Sequence, residues 1–216
     1  KSRPKLIGFS LHGTNMPLLR RILPRIKQAS PQSQIIVGGF DCLNPEVGPR
    51  VVSDFDYMVI FEAEGSLEIL VKQLLAGKTV RNLPGVIGKH DVAGFPFIPA
   101  PLVEDLDTLG FPKYEWASLD LYRNYNGYQL IPVVLSRGCK WSRCTFCGER
   151  FHWRRRSASN MVDELQWFAE QGCHQFHFND SDLSGDPTTV REICEEIIRR
   201  KLPPINMIGQ LRVQKG

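Results

Sequence analysis

The stretch Ser136-Arg137-Gly138-Cys139-Lys140-Trp141-Ser142-Arg143-Cys144-Thr145-Phe146-Cys147-Gly148 puts three cysteines within nine residues, spaced C-x4-C-x2-C. An apolar run over residues 128–135 leads directly into it. Thiolates this close in sequence can converge on one soft metal centre, because a loop of this length can turn all three sulfurs inward. A cubane iron–sulfur cluster takes four ligands, so three thiolates would leave one iron open to a substrate or cofactor. His152 follows Cys147 after four residues, and three cysteines with one histidine also fit a closed structural zinc site.

On the carboxyl side of the loop, Ser157 or Ser159 is placed to cap a helix whose inner face is Met161, Val162, Leu165, Phe168 and Ala169. A strand follows at residues 174–178, then the polar run Asn179-Asp180-Ser181-Asp182, a helix over 188–200 and a strand over 205–211, with Arg212 just after it placed to face the site. With the strand at 129–135 this is a β-α-β-α-β series whose thiol loop sits at the carboxyl end of the first strand, where barrel enzymes carry their chemistry. About three strands of such a barrel are present, so the chain reads as a piece of a longer protein.

On the amino side, apolar strands are expected at residues 5–11, 34–37 and 56–61, with a weaker one at 84–88. A helix capped by Asn15 and interrupted by Pro24 carries Leu18, Leu19, Ile22, Leu23 and Ile26. A second, over 63–76, carries Leu67, Leu70, Val71, Leu74 and Leu75 on one side. Alternating strands and helices predict a doubly wound parallel sheet, which binds ligands at the carboxyl ends of its strands. Three loops qualify: residues 10–14, 38–42 and 62–65. The expected organisation is an α/β Rossmann-like domain at 1–90, a linker at 91–127 rich in Pro, Gly and Asp, and the start of a (β/α) barrel at 128–216.

The Ser-Arg-Gly-Cys and Arg-Cys-Thr-Phe-Cys segments resemble the cluster loop of radical S-adenosylmethionine enzymes, particularly those with an N-terminal cobalamin-binding domain. The usual spacing there has three residues between the first two cysteines, whereas this chain has four. The resemblance implies a 4Fe-4S cluster on Cys139, Cys144 and Cys147, with S-adenosylmethionine on the open iron and Phe146 near its adenine. It implies that Asn179 and Asp180 receive the methionine amino group; an Asp-rich helix approach is the other reading of that run. Gly-Phe-Ser at the first strand, Val-Gly-Gly after the second and Phe-Glu-Ala-Glu-Gly after the third resemble the later part of the cobalamin domain. They nominate Ser10, Gly38, Gly39 and Glu62 for cobalamin. The family's Asp-x-His-x-x-Gly motif is absent, so His12 reads as a loop histidine.

The same resemblance implies reductive cleavage of S-adenosylmethionine, most readily for methyl transfer, with ring rearrangement or methylthiolation as other outcomes. The partners implied are a small-molecule or peptide substrate and an external electron donor such as flavodoxin or ferredoxin. The residues leave two rivals open, a zinc-stabilised binding module and a non-catalytic cobalamin- or nucleotide-binding sensor. Composition is that of an ordinary globular protein, 42% hydrophobic and 23% charged. A net charge of +4 with dispersed Lys and Arg argues against nucleic acid; the local exception is residues 150–156, with four arginines, read first as a solvated approach or partner contact. Six cysteines with three in one loop point to a reducing, cytoplasmic setting, and no apolar run approaches membrane-span length.

Overall fold

The computed structural model describes residues 3–12, 14–43, 54–91, 98–114, 117–119, 121 and 129–212. The chain divides into two compact units, Lys1–Val103 and Glu104–Gly216. Residues 98–103 of the expected linker therefore belong with the first unit and 104–114 with the second; its residues 92–97, 115–116, 120 and 122–127 lie outside the described residues, as do Gly13 and Tyr128.

The first unit runs β1 (Leu6–Ser10), α1 (Met16–Ala29), β2 (Gln34–Gly38), a 3-10 turn (Phe40–Leu43), β3 (Tyr57–Val59), α2 (Glu64–Leu75) and β4 (Val86–Gly88). The sheet order is β1-β2-β3-β4, with the first three strands parallel. β4 is antiparallel to β3, so the expected parallel sheet carries one antiparallel edge strand. The cause is the segment after α2. It returns the chain to the carboxyl end of β3, burying Val80 on the way, and the Ile60 N–H then bonds the Gly85 carbonyl at 2.8 Å. From there β4 can only descend.

The strands read as unbroken apolar runs because both faces are covered. Ile35, Val37, Met58, Ile60 and Ile87 pack with Leu19 of α1, while Ile36, Tyr57, Val59 and Val86 pack with Leu70 and Leu74 of α2. Odd and even residues of one strand thus meet helices on opposite faces, the doubly wound arrangement. The α2 stripe is narrower than its sequence suggests: Leu67 and Leu75 are 38% and 49% exposed. α1 continues through Pro24. Asn15 makes no side-chain cap; its Oδ1 accepts the His12 N–H and its Nδ2 donates to the Ser10 carbonyl, both at 2.9 Å, so it fastens the loop after β1.

At the opposite end of the sheet, buried Asp56 accepts from Lys27 Nζ, Lys89 Nζ and the Ile35 N–H. Burial pushes this carboxyl up, but these donors outweigh it and hold its pKa below the ordinary carboxylate value.

The second unit contains a 3-10 turn (Leu106–Thr108), β5 (Ile131–Val133), β6 (Ser136–Arg137), β7 (Arg154–Arg155), α3 (Ala158–Glu170), β8 (Gln175–Phe178), a 3-10 turn (Leu183–Gly185), α4 (Pro187–Arg199) and β9 (Asn206–Gly209). β5, β8 and β9 form a parallel sheet in that order. Ile131, Val133, Phe176 and Phe178 face a core of Met161, Leu165 and Phe168 from α3 and Ile193 from α4. Ser157, of the two candidates, caps α3, its Oγ accepting the Asn160 N–H at 3.1 Å. The stretch 104–114 packs against β5 and α3: Tyr114 Oη donates to the Pro132 carbonyl, and Asp107 accepts the Ser157 N–H at 2.8 Å. Asp107 is thus a structural acceptor.

The three parallel strands end on one edge of the sheet. The thiol loop, residues 179–182 and residues 210–212 all emerge there.

Candidate metal centre and ligand groove

The thiol loop is closed at its base by the β6–β7 ladder, which pairs Ser136 with Arg155 and Arg137 with Arg154. Gly138, at φ +81°, lies so close to the returning strand that a Cβ would fall 2.6 Å from the Phe151 carbonyl oxygen. Only glycine fits both the conformation and the contact. Within the loop the Ser142 N–H points at Cys139 Sγ at 3.5 Å, and the Glu149 N–H at Cys147 Sγ at 3.4 Å. Arg150 donates to the Ser142 and Cys144 carbonyls at 2.8 and 3.2 Å. Cys139, Cys144 and Cys147 are free and half-buried, and Phe146 at the tip is 91% exposed.

Among the described residues no group of three or more His, Cys, Asp and Glu side chains is already gathered as a metal cage. The loop supplies three soft sulfurs, and N–H donors already address two of them. That donor set fits a thiolate-bound iron–sulfur cluster, whose sulfurs are tuned by such hydrogen bonds. It does not fit the closed zinc site. His152 is exposed, with its Nε2 3.8 Å from the Glu104 carboxylate, so the fourth ligand that reading requires is elsewhere.

The arginine run after the loop is mostly built in, which corrects the solvated reading. Arg156 is buried, paired with Glu164 and donating to the Val134 and Asn160 carbonyls. Arg155 pairs with Asp186 at 3.1 Å, and Arg154 is buried.

Asn179 and Asp180, adjacent in sequence, have different surroundings. Asn179 is exposed and lines a cavity of about 300 Å³ with Arg137, Pro132 and Val134. Asp180 is 2% exposed, and its carboxylate accepts from the Leu135 N–H, the Ser136 N–H and Ser136 Oγ. Burial raises its pKa, opposed in part by those bonds. Asp180 braces the end of β8 against the chain entering the thiol loop. Ser181 Oγ donates to the Glu149 carboxylate, a second tie between the same two segments. Asp182 is also buried and accepts from Ser184 and Arg212.

In the first unit, Ser10, Gly38 and Gly39 line one groove of about 450 Å³ at the carboxyl ends of β1 and β2. Its walls are Leu6, Ile36, Val59, Leu67 and Val71. Gly8 and Gly38 leave its floor bare, since a Cβ on Gly8 would meet nothing within 4 Å and one on Gly38 only the Val59 carbonyl at 3.5 Å. Gly39, at φ +104°, backs against Ser10 Oγ and Leu11, where a Cβ would lie 2.8 Å from that hydroxyl oxygen. Leu67 and Val71, on the apolar side of α2, are groove walls, and Val71 also packs against the core. Glu62 is not among the lining residues, and its carboxylate accepts the Val103 N–H at 2.9 Å. Two of the four non-glycine residues with positive φ among those described, Phe61 in the groove and Ser142 in the thiol loop, fall in these two places.

No protein-family profile matches the chain. An anaerobic magnesium-protoporphyrin IX monomethyl ester cyclase of Synechocystis is 27% identical over 220 residues, covering 96% of this chain. The radical S-adenosylmethionine methyltransferase TsrM of Kitasatospora setae superposes on 93% of it with a TM-score of 0.71 at 20% identity. In fold the chain is similar to cobalamin-dependent radical S-adenosylmethionine enzymes. OxsB, a cobalamin-dependent S-adenosylmethionine radical enzyme solved with aqua-cobalamin and S-adenosylmethionine bound, superposes on 95% of the chain with a TM-score of 0.70 at 22% identity. The chain spans about two-fifths of the cyclase and of TsrM, and 30% of OxsB. No helix among the described residues is long and apolar enough to cross a membrane.

Proposed function

We propose that this chain is the cobalamin- and cluster-binding part of a cobalamin-dependent radical S-adenosylmethionine enzyme, most readily a methyltransferase. The observation carrying the reading is the ladder-closed loop that holds three free thiols at the carboxyl edge of a parallel sheet. Cys139, Cys144 and Cys147 would hold a 4Fe-4S cluster. When bound, that cluster and S-adenosylmethionine supply one-electron reductive chemistry, and cobalamin supplies a methyl carrier.

The chain's own part is binding and orientation. The N–H groups of Ser142 and Glu149 stabilise thiolate charge on Cys139 and Cys147. Arg150 fixes the turn between them through two carbonyls. Asn179, exposed beside the loop, is the residue we assign to the methionine amino group. Asp180 supports it from behind, because its carboxylate accepts from Leu135 and Ser136 in the interior. Phe146 offers an exposed ring for stacking on adenine. In the first unit Ser10, Gly38 and Gly39 offer a hydroxyl and a bare floor to the nucleotide end of cobalamin, and Glu62 secures the groove's neighbouring loop through Val103.

The substrate class is a small molecule or peptide, and a flavodoxin or ferredoxin would supply the electron in the cytoplasm, where free thiols persist. Of the two rivals, the zinc module loses its fourth ligand with His152, and a cobalamin sensor does not account for the organised thiol loop.

Iron, sulfide and visible absorption of anaerobically reconstituted protein test the reading. About four irons per chain, a broad charge-transfer shoulder, and loss of both in Cys144→Ala are expected. A colourless protein holding a single zinc would overturn it.

A further inference from the structure

Between Cys139 and Cys144 lies the four-residue spacer Lys140-Trp141-Ser142-Arg143. Ser142 sits at φ +45°, a left-handed conformation that costs a non-glycine residue free energy and needs support from its surroundings. That support comes from the end of the third strand. The Arg212 guanidinium carbon lies 4.1 Å from the centroid of the Trp141 ring, and that of Arg143 lies 5.3 Å from the same ring. Arg212 is itself held. Its N–H and Nε donate to the two oxygens of Asp182, at 3.3 and 3.4 Å, and its carbonyl accepts Ser184 Oγ at 3.2 Å. The Asp182 side chain is only 4% exposed, so this carboxylate is a fixed anchor.

We infer that Arg212 is a positioning residue for the thiol loop, acting through the face of Trp141. The chain Asp182–Arg212–Trp141 ties together the segments that follow all three parallel strands. It pins the residue next to the strained Ser142, whose N–H addresses Cys139 Sγ. A cation over an indole, with one side anchored on a buried carboxylate, belongs in the stronger range of such contacts. The spacer is thereby held in the turn that its extra residue demands. The inference rests on the reading of this loop as the cluster site, but its test does not.

The experiment is alkylation of the metal-free full chain by iodoacetamide in native buffer, read thiol by thiol by mass spectrometry. In Arg212→Ala the rates at Cys139 and Cys144 are expected to rise roughly tenfold, mid-range for the lost contact. Cys173, 4% exposed in the core of the same unit, should not change. Arg212→Lys keeps the cation and should recover part of the protection, and Trp141→Leu should reproduce the Arg212→Ala pattern from the other side. Rates at Cys139 and Cys144 within twofold of wild type in both Arg212→Ala and Trp141→Leu would overturn the inference. So would a parallel rise at Cys173 in both, since that marks general loosening. Failure of the wild-type protein to take up iron would sink the cluster reading while leaving the alkylation pattern intact.

Discussion

Replacing Asp180 separates a brace from a ligand. Its carboxylate is buried and accepts two backbone N–H groups and one hydroxyl, from Leu135 and Ser136. In Asp180→Ala both N–H donors lose their acceptor out of reach of water. Each such orphaned group costs about 1–3 kcal/mol, giving a loss of roughly 2–6 kcal/mol. In Asp180→Asn the amide oxygen can still serve Ser136, but the amide nitrogen then faces the Leu135 N–H, so about 1–3 kcal/mol is lost. Burial already disfavours the ionised acid, which places Asn toward the lower end.

The assay is urea unfolding followed by tryptophan fluorescence. Trp116, Trp141, Trp153 and Trp167 all fall in the second unit, so the signal reports that unit alone. The pH dependence has a definite sign. Because the folded pKa is raised, the folded state binds the proton more tightly, and wild type gains stability relative to Asp180→Asn as pH falls through the folded pKa. The gain is complete below the unfolded value near 3.9. An Asp180→Ala protein within about 0.5 kcal/mol of wild type, the scatter of an ordinary surface change, would refute the brace. If that protein also lost affinity for S-adenosylmethionine, Asp180 would return to the ligand role.

Three further outcomes follow from the geometry. Gly38→Ala should fold normally, since its Cβ meets only a carbonyl at 3.5 Å, yet weaken hydroxocobalamin binding by filling the groove floor; Gly39→Ala should lose both binding and stability, because its Cβ would collide with Ser10 and Leu11. Spectrophotometric titration and thermal melting distinguish the pair. Asp56→Ala should expose the Ile35 amide to faster hydrogen exchange, by about tenfold for a loss near 1.4 kcal/mol; the estimate is modest because Lys27 and Lys89 are 38% and 45% exposed and their pairs are screened. Since the Asp56 pKa is lowered on folding, its contribution is present above the unfolded carboxylate pKa and is lost as pH falls through the folded one, so Ile35 protection should decline in acid in wild type and not in the variant. Glu164→Ala should destabilise the second unit by about 3–5 kcal/mol, because it leaves Arg156 buried without its partner; a tryptophan-monitored loss below 1 kcal/mol would contradict this.

The sequence revealed what local chemistry controls. The strands were legible because both faces are covered and the runs are continuous, and Cys139, Cys144 and Cys147 because their spacing confines them to one loop. Ser10, Gly38 and Gly39 meet in one groove although 28 residues separate Ser10 from Gly38, since the parallel pairing of β1 and β2 sets Ser10 opposite Gly38. What stayed hidden depends on long-range contacts. The descent of β4 is decided by a tail that packs Val80 before the strand begins. The arginines at 154–156 look like a solvated run, but Glu164 and Asp186 that meet Arg156 and Arg155 lie eight and thirty-one residues away. Asn15 has a capping residue's identity, yet its amide is taken by the loop before it. The arginines are polar side chains whose partners lie outside their own stretch of sequence.

That pattern bears on the polar run at 179–182. Four small polar residues in a row suggest four equivalent candidates for ligand contact, but only Asn179 and Ser181 are exposed, alternating with buried Asp180 and Asp182. The alternation continues the period-two geometry of β8 past its last ladder bond, where the Asn179 N–H still bonds the Val133 carbonyl. One carboxylate is thereby turned to the chain entering the thiol loop and the next to the end of β9. A buried acid on each side leaves the intervening residues no freedom to drift relative to the thiols. The second strand's loop is therefore the keystone between its two neighbours, and its acids set the position of Asn179.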